Sequence, residues 1–181
     1  NKTIVRFIAP ADVKGTALLV YDYEKQSDDM WIYLPALRKV RRVVSSEKGK
    51  NFMGSEFTNA DMSKPNFDDF DFKLIGSEIL SDVECYKIES KCKTEALAAE
   101  YGFYKRISYI DISTTLCYKV EYYNANNILQ RIQTIGDYRK QPGGKYFAFN
   151  MKMQNMTNGR NTEIIITRLQ TNSQLPESSF A

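Results

Sequence analysis

The chain has 181 residues and 43% of them are apolar, so it is long enough for one domain with a sizeable core and too apolar for global disorder. Its net charge of +3 is far from the concentrated positive field of a dedicated nucleic-acid-binding domain. Histidine is absent, which excludes Ser-His-Asp and Cys-His catalysis and removes the commonest metal ligand.

A period of two dominates the sequence, and it predicts antiparallel strands with one buried face and one hydrated face. In 84–90, for example, Tyr86 and Ile88 would form the apolar face, and Cys85 would lie on the polar face. We predict strands near 2–9, 14–24, 28–35, 37–45, 70–80, 83–91, 104–112, 116–124, 128–139, 145–156 and 161–171.

Turn signals separate these strands at 124–127, at 141–144 and at the Asn158-Gly159 pair. Consecutive strands joined by short turns predict a mainly β meander, as a strongly curved sheet or a half-open, unclosed antiparallel β-barrel. Neither repeats nor linkers divide the sequence, so we expect residues 1–181 to form a single domain.

Two segments interrupt the alternation. Residues 46–69 form a long insertion, for which we predict a short helix around 56–63 and the role of a lid, because long ordered loops often cover binding sites. Residues 94–101 have high helix propensity and predict about two helical turns. The lid candidates are the apolar residues of the insertion: Phe52, Met53, Phe57 and Met62.

The most basic stretch contains Arg38, Lys39, Arg41 and Arg42 around Val40. The more specific interpretation is that these residues contact the phosphates of a nucleic acid. Alternation favours a strand whose basic side chains face water, so we expect no nucleic-acid partner. Arg42 would share a face with Val40, and a cavity-facing arginine needs a partner, so Arg42 is a candidate latch for the lid.

The remaining polar clusters predict neither a metal site nor an enzyme. Asp28-Asp29 and 68–71 are ordinary turn compositions and lack the spacing of a calcium loop. The three cysteines contain no CxxC pair and have no histidine to activate a nucleophile, so we expect no cofactor. One disulfide with a free thiol and three free thiols both remain open for Cys85, Cys92 and Cys117.

A surplus of aromatic and methionine side chains lies on the strand faces. Some of it is core, but only two short helical segments are available to shield some eleven strands. An incompletely filled apolar cavity, of the kind that holds an acyl chain, is therefore the alternative to a filled core. The candidate ligand-binding residues are Leu19, Tyr21, Trp31, Tyr33, Phe147, Phe149 and Met151.

Three stretches carry a resemblance to a known family: DVKGTALL at 12–19, DMWIYLPALRKVRR at 29–42 and FMGSEFTNAD at 52–61. The chain resembles outer membrane lipoprotein-sorting protein domains, which are similar to the periplasmic lipoprotein carrier and receptor of the Lol system. The likeness continues more loosely through CYKI at 85–88 and the closing hairpin MQNMTNG at 153–159.

The resemblance implies a half-open β-barrel with a helical lid over an apolar cavity, in the periplasm of a Gram-negative-type bacterium. It implies a lipid or a lipoprotein acyl chain as partner, with peripheral contact with membrane components. It also implies an N-terminal helix and a first strand ahead of the matched region, and an export signal that is removed. The alternative is an interaction module that docks a membrane transporter or an envelope protein without lipid cargo.

Overall fold

The computed structural model describes residues 1–23, 26–171 and 176–180, and these form two antiparallel sheets. Within each sheet, every strand pairs with its neighbours in sequence, so each sheet is a meander. The smaller sheet contains β1 (Lys2–Arg6), β2 (Ala17–Tyr21), β3 (Asp29–Leu34) and β4 (Lys39–Val43). The larger sheet contains β5 (Phe70–Leu80), β6 (Val83–Cys92), β7 (Lys105–Asp111), β8 (Cys117–Tyr123), β9 (Leu129–Lys140), β10 (Tyr146–Asn155) and β11 (Asn161–Ile165).

The predicted fold class is confirmed, since the chain is mainly β and the sheets do not close into a barrel within the described residues. All eleven predicted strands are present, several of them shorter than expected. The strand predicted at 14–24 spans Ala17–Tyr21, and its final residue 24 lies outside the described residues. None of the described helices is long and apolar enough to cross a membrane.

The two α-helices of the described residues are short. The first, α1 (Ser45–Lys48), forms the start of the insertion at 46–69, and α2 (Glu95–Tyr101) follows β6. The prediction of a helix at 94–101 is confirmed. The hydroxyl of Thr94 accepts a hydrogen bond from the backbone N–H of Leu97 at 3.2 Å, and Gly102 ends the helix with φ of 76°.

The helix predicted at 56–63 is wrong, because only a single 3-10 turn forms there, at Ala60–Met62. The backbone N–H of Thr58 donates to the Asp61 carboxylate at 2.7 Å, and the Thr58 hydroxyl accepts from the N–H of Asp61 at 3.2 Å. These local side-chain bonds offer the backbone an alternative to continued helical pairing.

The core consists of two clusters that meet at the insertion, and we call residues 46–69 the lid segment. On the smaller sheet the cluster contains Leu18, Val20, Met30, Ile32 and Val43, with Phe52 of the lid segment. On the larger sheet it contains Phe70, Cys92, Phe103, Val120, Tyr122 and Met153, with Phe57 of the lid segment. Met62 packs against both clusters. The lid segment therefore joins the two sheets.

The start of the lid segment is held against α2 by close backbone contact. A methyl group added at Gly49 would lie 2.3 Å from the carbonyl oxygen of Ala99 and 3.0 Å from the backbone of Gly102. Beside this contact, the buried Lys48 ammonium donates to the Glu100 carboxylate at 2.7 Å and to the Ser27 hydroxyl at 2.6 Å. The two helices can approach this closely only because glycine has no side chain.

We expect the substitution Gly49→Ala to destabilise the fold by about 1–3 kcal/mol, because backbone atoms must move to accommodate the methyl group. Urea unfolding followed by tryptophan fluorescence measures the change. The control is Gly136→Ala, since an added methyl group there meets nothing within 4 Å. Equal stability of the two variants would contradict the close approach.

Candidate ligand-binding site at the lid segment

The face of the larger sheet that carries the lid segment is largely apolar, with polar residues on β7 and β9. Strand register aligns Leu74, Ile88, Ser108, Val120, Gln133 and Met153 in one row. Tyr86 pairs with Ile110, and farther across the same face Met151 lies between Ile135 and Ile164. Because both rows continue from the core cluster beneath the lid segment, this is one apolar surface.

The lid segment covers only part of that surface. Beyond its edge, in the described residues, large apolar side chains stay substantially exposed, among them Phe72 at 49%, Leu74 at 60%, Tyr86 at 41% and Phe147 at 39%. Phe149 and Met151 lie on the same face and are more deeply packed. An uncovered apolar area that runs into a core is a typical site for a hydrophobic ligand.

A second apolar area lies on the smaller sheet, on the face opposite the lid segment. Leu18 and Val20 point into the core, so the alternating residues Leu19 and Tyr21 point the other way. Leu19 and Tyr21 contribute to an open groove of about 370 Å³ on that face. Its lining is wholly apolar or aromatic: Ile4, Ala17, Leu19, Tyr21, Trp31, Tyr33 and Val40.

The seven residues predicted to bind ligand therefore occupy two surfaces. Leu19, Tyr21, Trp31 and Tyr33 line the groove on the smaller sheet. Phe147, Phe149 and Met151 lie on the lid-facing side of the larger sheet, where the rings of Phe147 and Phe149 meet edge to face at 5.8 Å. The two groups are separated, because the groove and the lid segment lie on opposite faces of the smaller sheet.

The four lid candidates all pack inward. Phe52 and Phe57 are buried, one in each core cluster, and the Phe52 ring lies 5.9 Å from the ring of Phe7. Met53 packs against the smaller-sheet cluster, and Met62 against both. Displacing the lid segment would therefore expose apolar surface on both sheets.

Polar contacts fix the middle of the lid segment to one end of the larger sheet. The buried Arg131 of β9 donates through Nη1 to the Asp61 carboxylate at 2.8 Å and to the Glu56 carbonyl at 3.3 Å. The Arg131 guanidinium also lies over the Tyr122 ring, at 4.7 Å from its centre. The pair with Asp61 is largely removed from solvent, so breaking it would leave an uncompensated charge.

Glu56 provides the second part of this attachment and is only 2% exposed. Its backbone N–H donates to the Thr162 hydroxyl at 3.0 Å, and its carboxylate accepts from Asn155 Nδ2 at 2.8 Å. The Arg160 guanidinium lies 3.2 Å from the other carboxylate oxygen. Side chains of β9, β10 and β11, together with Arg160 in the β10–β11 turn, therefore bond to the lid segment.

Arg42, the predicted latch, is placed elsewhere. It does share a face with Val40, but its guanidinium is exposed and forms an ion pair with Asp29 on the neighbouring strand. Its neighbour Arg41 contacts the lid segment instead, donating to both carboxylate oxygens of Glu47 at 2.8 and 2.9 Å. This contact lowers the pKa of the Glu47 carboxyl.

The arginine that fixes the lid segment, Arg131, was missed by sequence reasoning. The sequence signal for Arg131 was its position in the strand alternation. It shares a face with Gln133 and Ile135, which is the core side of β9. Glu56 gave a matching signal, as a carboxylate between the apolar lid residues Phe52 and Phe57. Each buried charge requires a partner: Arg131 pairs with Asp61, and the Glu56 carboxylate pairs with Arg160.

The three cysteines are free thiols in the structure. Cys85 lies on the polar face of β6, as predicted, but its side chain is fully buried there. Cys85 lies between Glu78 and Asp111 of the adjacent strands, and such longer side chains can cover a small thiol. Burial raises the pKa of Cys92 to about 11 and that of Cys117 to about 11.

Comparison with known proteins identifies the family to which this chain belongs. A family model described as "Uncharacterized protein" matches residues 1–181. An outer membrane lipoprotein-sorting protein domain from Vibrio parahaemolyticus is 30% identical, with a TM-score of 0.91 over 99% of this chain and 74% of that one. The chain belongs to the outer membrane lipoprotein-sorting protein family.

Two further structures are similar to this lipoprotein-sorting domain. A DUF1329 family protein from Desulfovibrio piger is 29% identical, with a TM-score of 0.89 over 98% of this chain and 74% of that one. A LolA superfamily protein from Nitrosomonas europaea is 19% identical, with a TM-score of 0.68 over 99% of this chain and 76% of that one. The last likeness shows a shared fold. No curated protein matches the chain.

We expect the thiols of the folded lipoprotein-sorting domain to resist iodoacetamide at pH 8. With a pKa near 11, only about one thousandth of the Cys92 or Cys117 thiol is thiolate at that pH. Mass spectrometry should find three alkylated cysteines after denaturation and a rising rate for the folded protein as the pH approaches 11. Rapid modification of the folded protein at pH 8 would contradict the buried placement.

We expect Arg131→Gln to destabilise the domain by roughly 3–5 kcal/mol and to speed amide exchange across 52–62, because Asp61 loses its cation. Urea unfolding and hydrogen exchange measure the two effects. The matched control is Arg42→Gln, which removes an exposed pair worth at most about 1 kcal/mol. Faster lid exchange in Arg42→Gln than in Arg131→Gln would restore Arg42 as the latch.

Proposed function

We propose that this chain is a non-enzymatic carrier that binds the acyl chain of a lipid or of a lipoprotein. The observation that carries the proposal is the apolar face of the larger sheet, which continues past the lid segment and leaves Phe72, Leu74, Tyr86 and Phe147 uncovered in the described residues. Membership of a lipoprotein-sorting family supports the choice of an acyl chain as occupant.

The chemistry of the surface suits a chain of methylene groups. Each methylene removed from water contributes about 0.8 kcal/mol, so a long acyl chain gains several kcal/mol from a surface of this kind. Aromatic rings and methionine adapt to a ligand without a fixed shape. We place Phe147, Phe149 and Met151 in contact with the acyl chain, as the sequence predicts.

The lid segment would control access. Its apolar residues Phe52, Phe57 and Met62 occupy the space between the sheets, and an acyl chain that entered there would replace their contacts with its own. The attachment through Arg131 and Glu56 favours the closed position. Movement of the lid segment against this attachment would accompany uptake and release.

The absence of catalysis rests on the thiols and on composition. Burial raises the pKa of all three cysteines, which disfavours the thiolate, and the sequence has no histidine to act as a base. The family relationship supports a periplasmic location and a role in the sorting of outer membrane lipoproteins, with peripheral contact with membrane components.

The groove on the smaller sheet favours a second candidate function, the docking of a membrane transporter or an envelope protein. Leu19, Tyr21, Trp31 and Tyr33 line it on the face away from the lid segment, so a partner could bind there while the lid stays closed. The same four residues are also the alternative contacts for an acyl chain.

A fluorescent acyl probe separates these placements. We expect the probe to bind the unmodified protein, and Phe147→Glu to weaken binding by at least about tenfold, because a carboxylate is costly in an apolar site. The matched control Ile128→Glu changes a similarly exposed apolar residue in the β8–β9 turn and should leave binding unchanged. The variant Tyr33→Glu tests whether the acyl chain binds in the groove on the smaller sheet instead.

Two results would overturn parts of the proposal. Loss of probe binding in Tyr33→Glu, with Phe147→Glu unaffected, would place the acyl chain in the groove. Failure of the unmodified protein to bind any acyl probe, together with lipid-free protein from its host by native mass spectrometry, would reject the carrier function.

A further inference from the structure

A pocket of about 450 Å³ with both polar and apolar lining lies where the lid segment, α2 and the larger sheet meet. Asn51 and Thr58 contribute from the lid segment, and Ala98 from α2. The β8–β9 turn and the start of β9 supply Asn124, Gln130 and Arg131. Its volume falls within the range of about 300–1,000 Å³ that is typical of small-molecule sites. This pocket is separate from both apolar surfaces.

The pocket wall contains both hydrogen-bond donors and hydrogen-bond acceptors that are not in use. Gln130 makes no side-chain hydrogen bond within 1–23, 26–171 and 176–180, so its amide can both donate and accept. Asn124 uses its oxygen to accept from the backbone N–H groups of Asn126 and Ile128, both at 3.0 Å, which leaves its amine. Asn51 donates to the Ser55 carbonyl at 2.5 Å, which leaves its oxygen.

Arg131 adds a buried donor at the same place. Its Nη1 bonds to the lid segment, whereas its Nη2 is buried and has no hydrogen-bond partner among the described residues. Unpaired buried donors are rare because each carries a desolvation cost. Arg131 is one of the residues that line the pocket, so this unpaired donor belongs to its wall.

The charge balance argues against an anion as the ligand. The charge of Arg131 is already compensated by Asp61 at 2.8 Å, and the pocket's other charged residue is Glu95, which is negative. The remaining polar lining is amide and hydroxyl, and Phe103 and Tyr104 also line the pocket. Neutral amide and hydroxyl donors and acceptors suit a neutral ligand with many hydroxyl groups.

We propose that this pocket binds a neutral saccharide of one or two rings. Hydroxyl groups of the sugar pair with Gln130, Asn124 and Asn51, and one hydroxyl accepts from Arg131. Because the walls come from the lid segment and from the sheet, a bound sugar contacts both and stabilises the closed lid. The site does not depend on acyl-chain binding, so either function can fail without the other.

Nuclear magnetic resonance titration with maltose, cellobiose and chitobiose tests the proposal. We expect at least one disaccharide to bind with a dissociation constant on the order of 1 mM and to shift the amide signals of Gln130 and Asn124. Gln130→Ala should weaken binding by about tenfold. The control Gln154→Ala, an exposed glutamine on β10, should leave binding unchanged.

A second measurement tests the coupling to the lid. Saturating disaccharide should slow amide exchange across 52–62 in the unmodified protein and have no effect in Gln130→Ala. The proposal is overturned if no disaccharide binds, or if Gln130→Ala binds as well as Gln154→Ala. Binding of inorganic phosphate at these residues in place of the sugars would also overturn it, since it would show an anion site.

Discussion

The fold depends on one constraint: an open antiparallel sheet with an apolar face must have that face covered. In this chain the cover is a single insertion, residues 46–69, whose side chains enter the cores of both sheets. Apolar contacts alone would leave its position loosely specified. The bonds of Arg131 and Glu56 fix it at one end of the larger sheet, and the far end of the same face stays open.

The sequence predicted the mainly β architecture, all eleven strands and the covering insertion, because alternation and turn residues are local signals. It did not predict which face of the smaller sheet the insertion covers. Both faces of β2 are apolar, with Leu18 and Val20 on one side and Leu19 and Tyr21 on the other, so periodicity could not choose between them. The local bonds between Thr58 and Asp61 similarly replaced the expected helix.

The choice of Arg42 as the latch shows a related limit of prediction from sequence. Arg42 was the candidate because it lies in phase with apolar residues, and it does share their face, but its partner is Asp29 on the adjacent strand. Arg131 and Asp61 are far apart in sequence, and only the tertiary fold brings them together. Buried charges of opposite sign were the better signal, because each requires a partner that water cannot supply.

The central claim is that an acyl chain lies on the lid-facing side of the larger sheet, and photo-crosslinking tests it most directly. A fatty acid with a diazirine on its chain can be activated on the protein, and the labelled residues can be mapped by mass spectrometry. The account predicts labels on Phe72, Leu74, Tyr86 or Phe147 and their neighbours on that face. Labels confined to the groove around Trp31, or none at all, would contradict it.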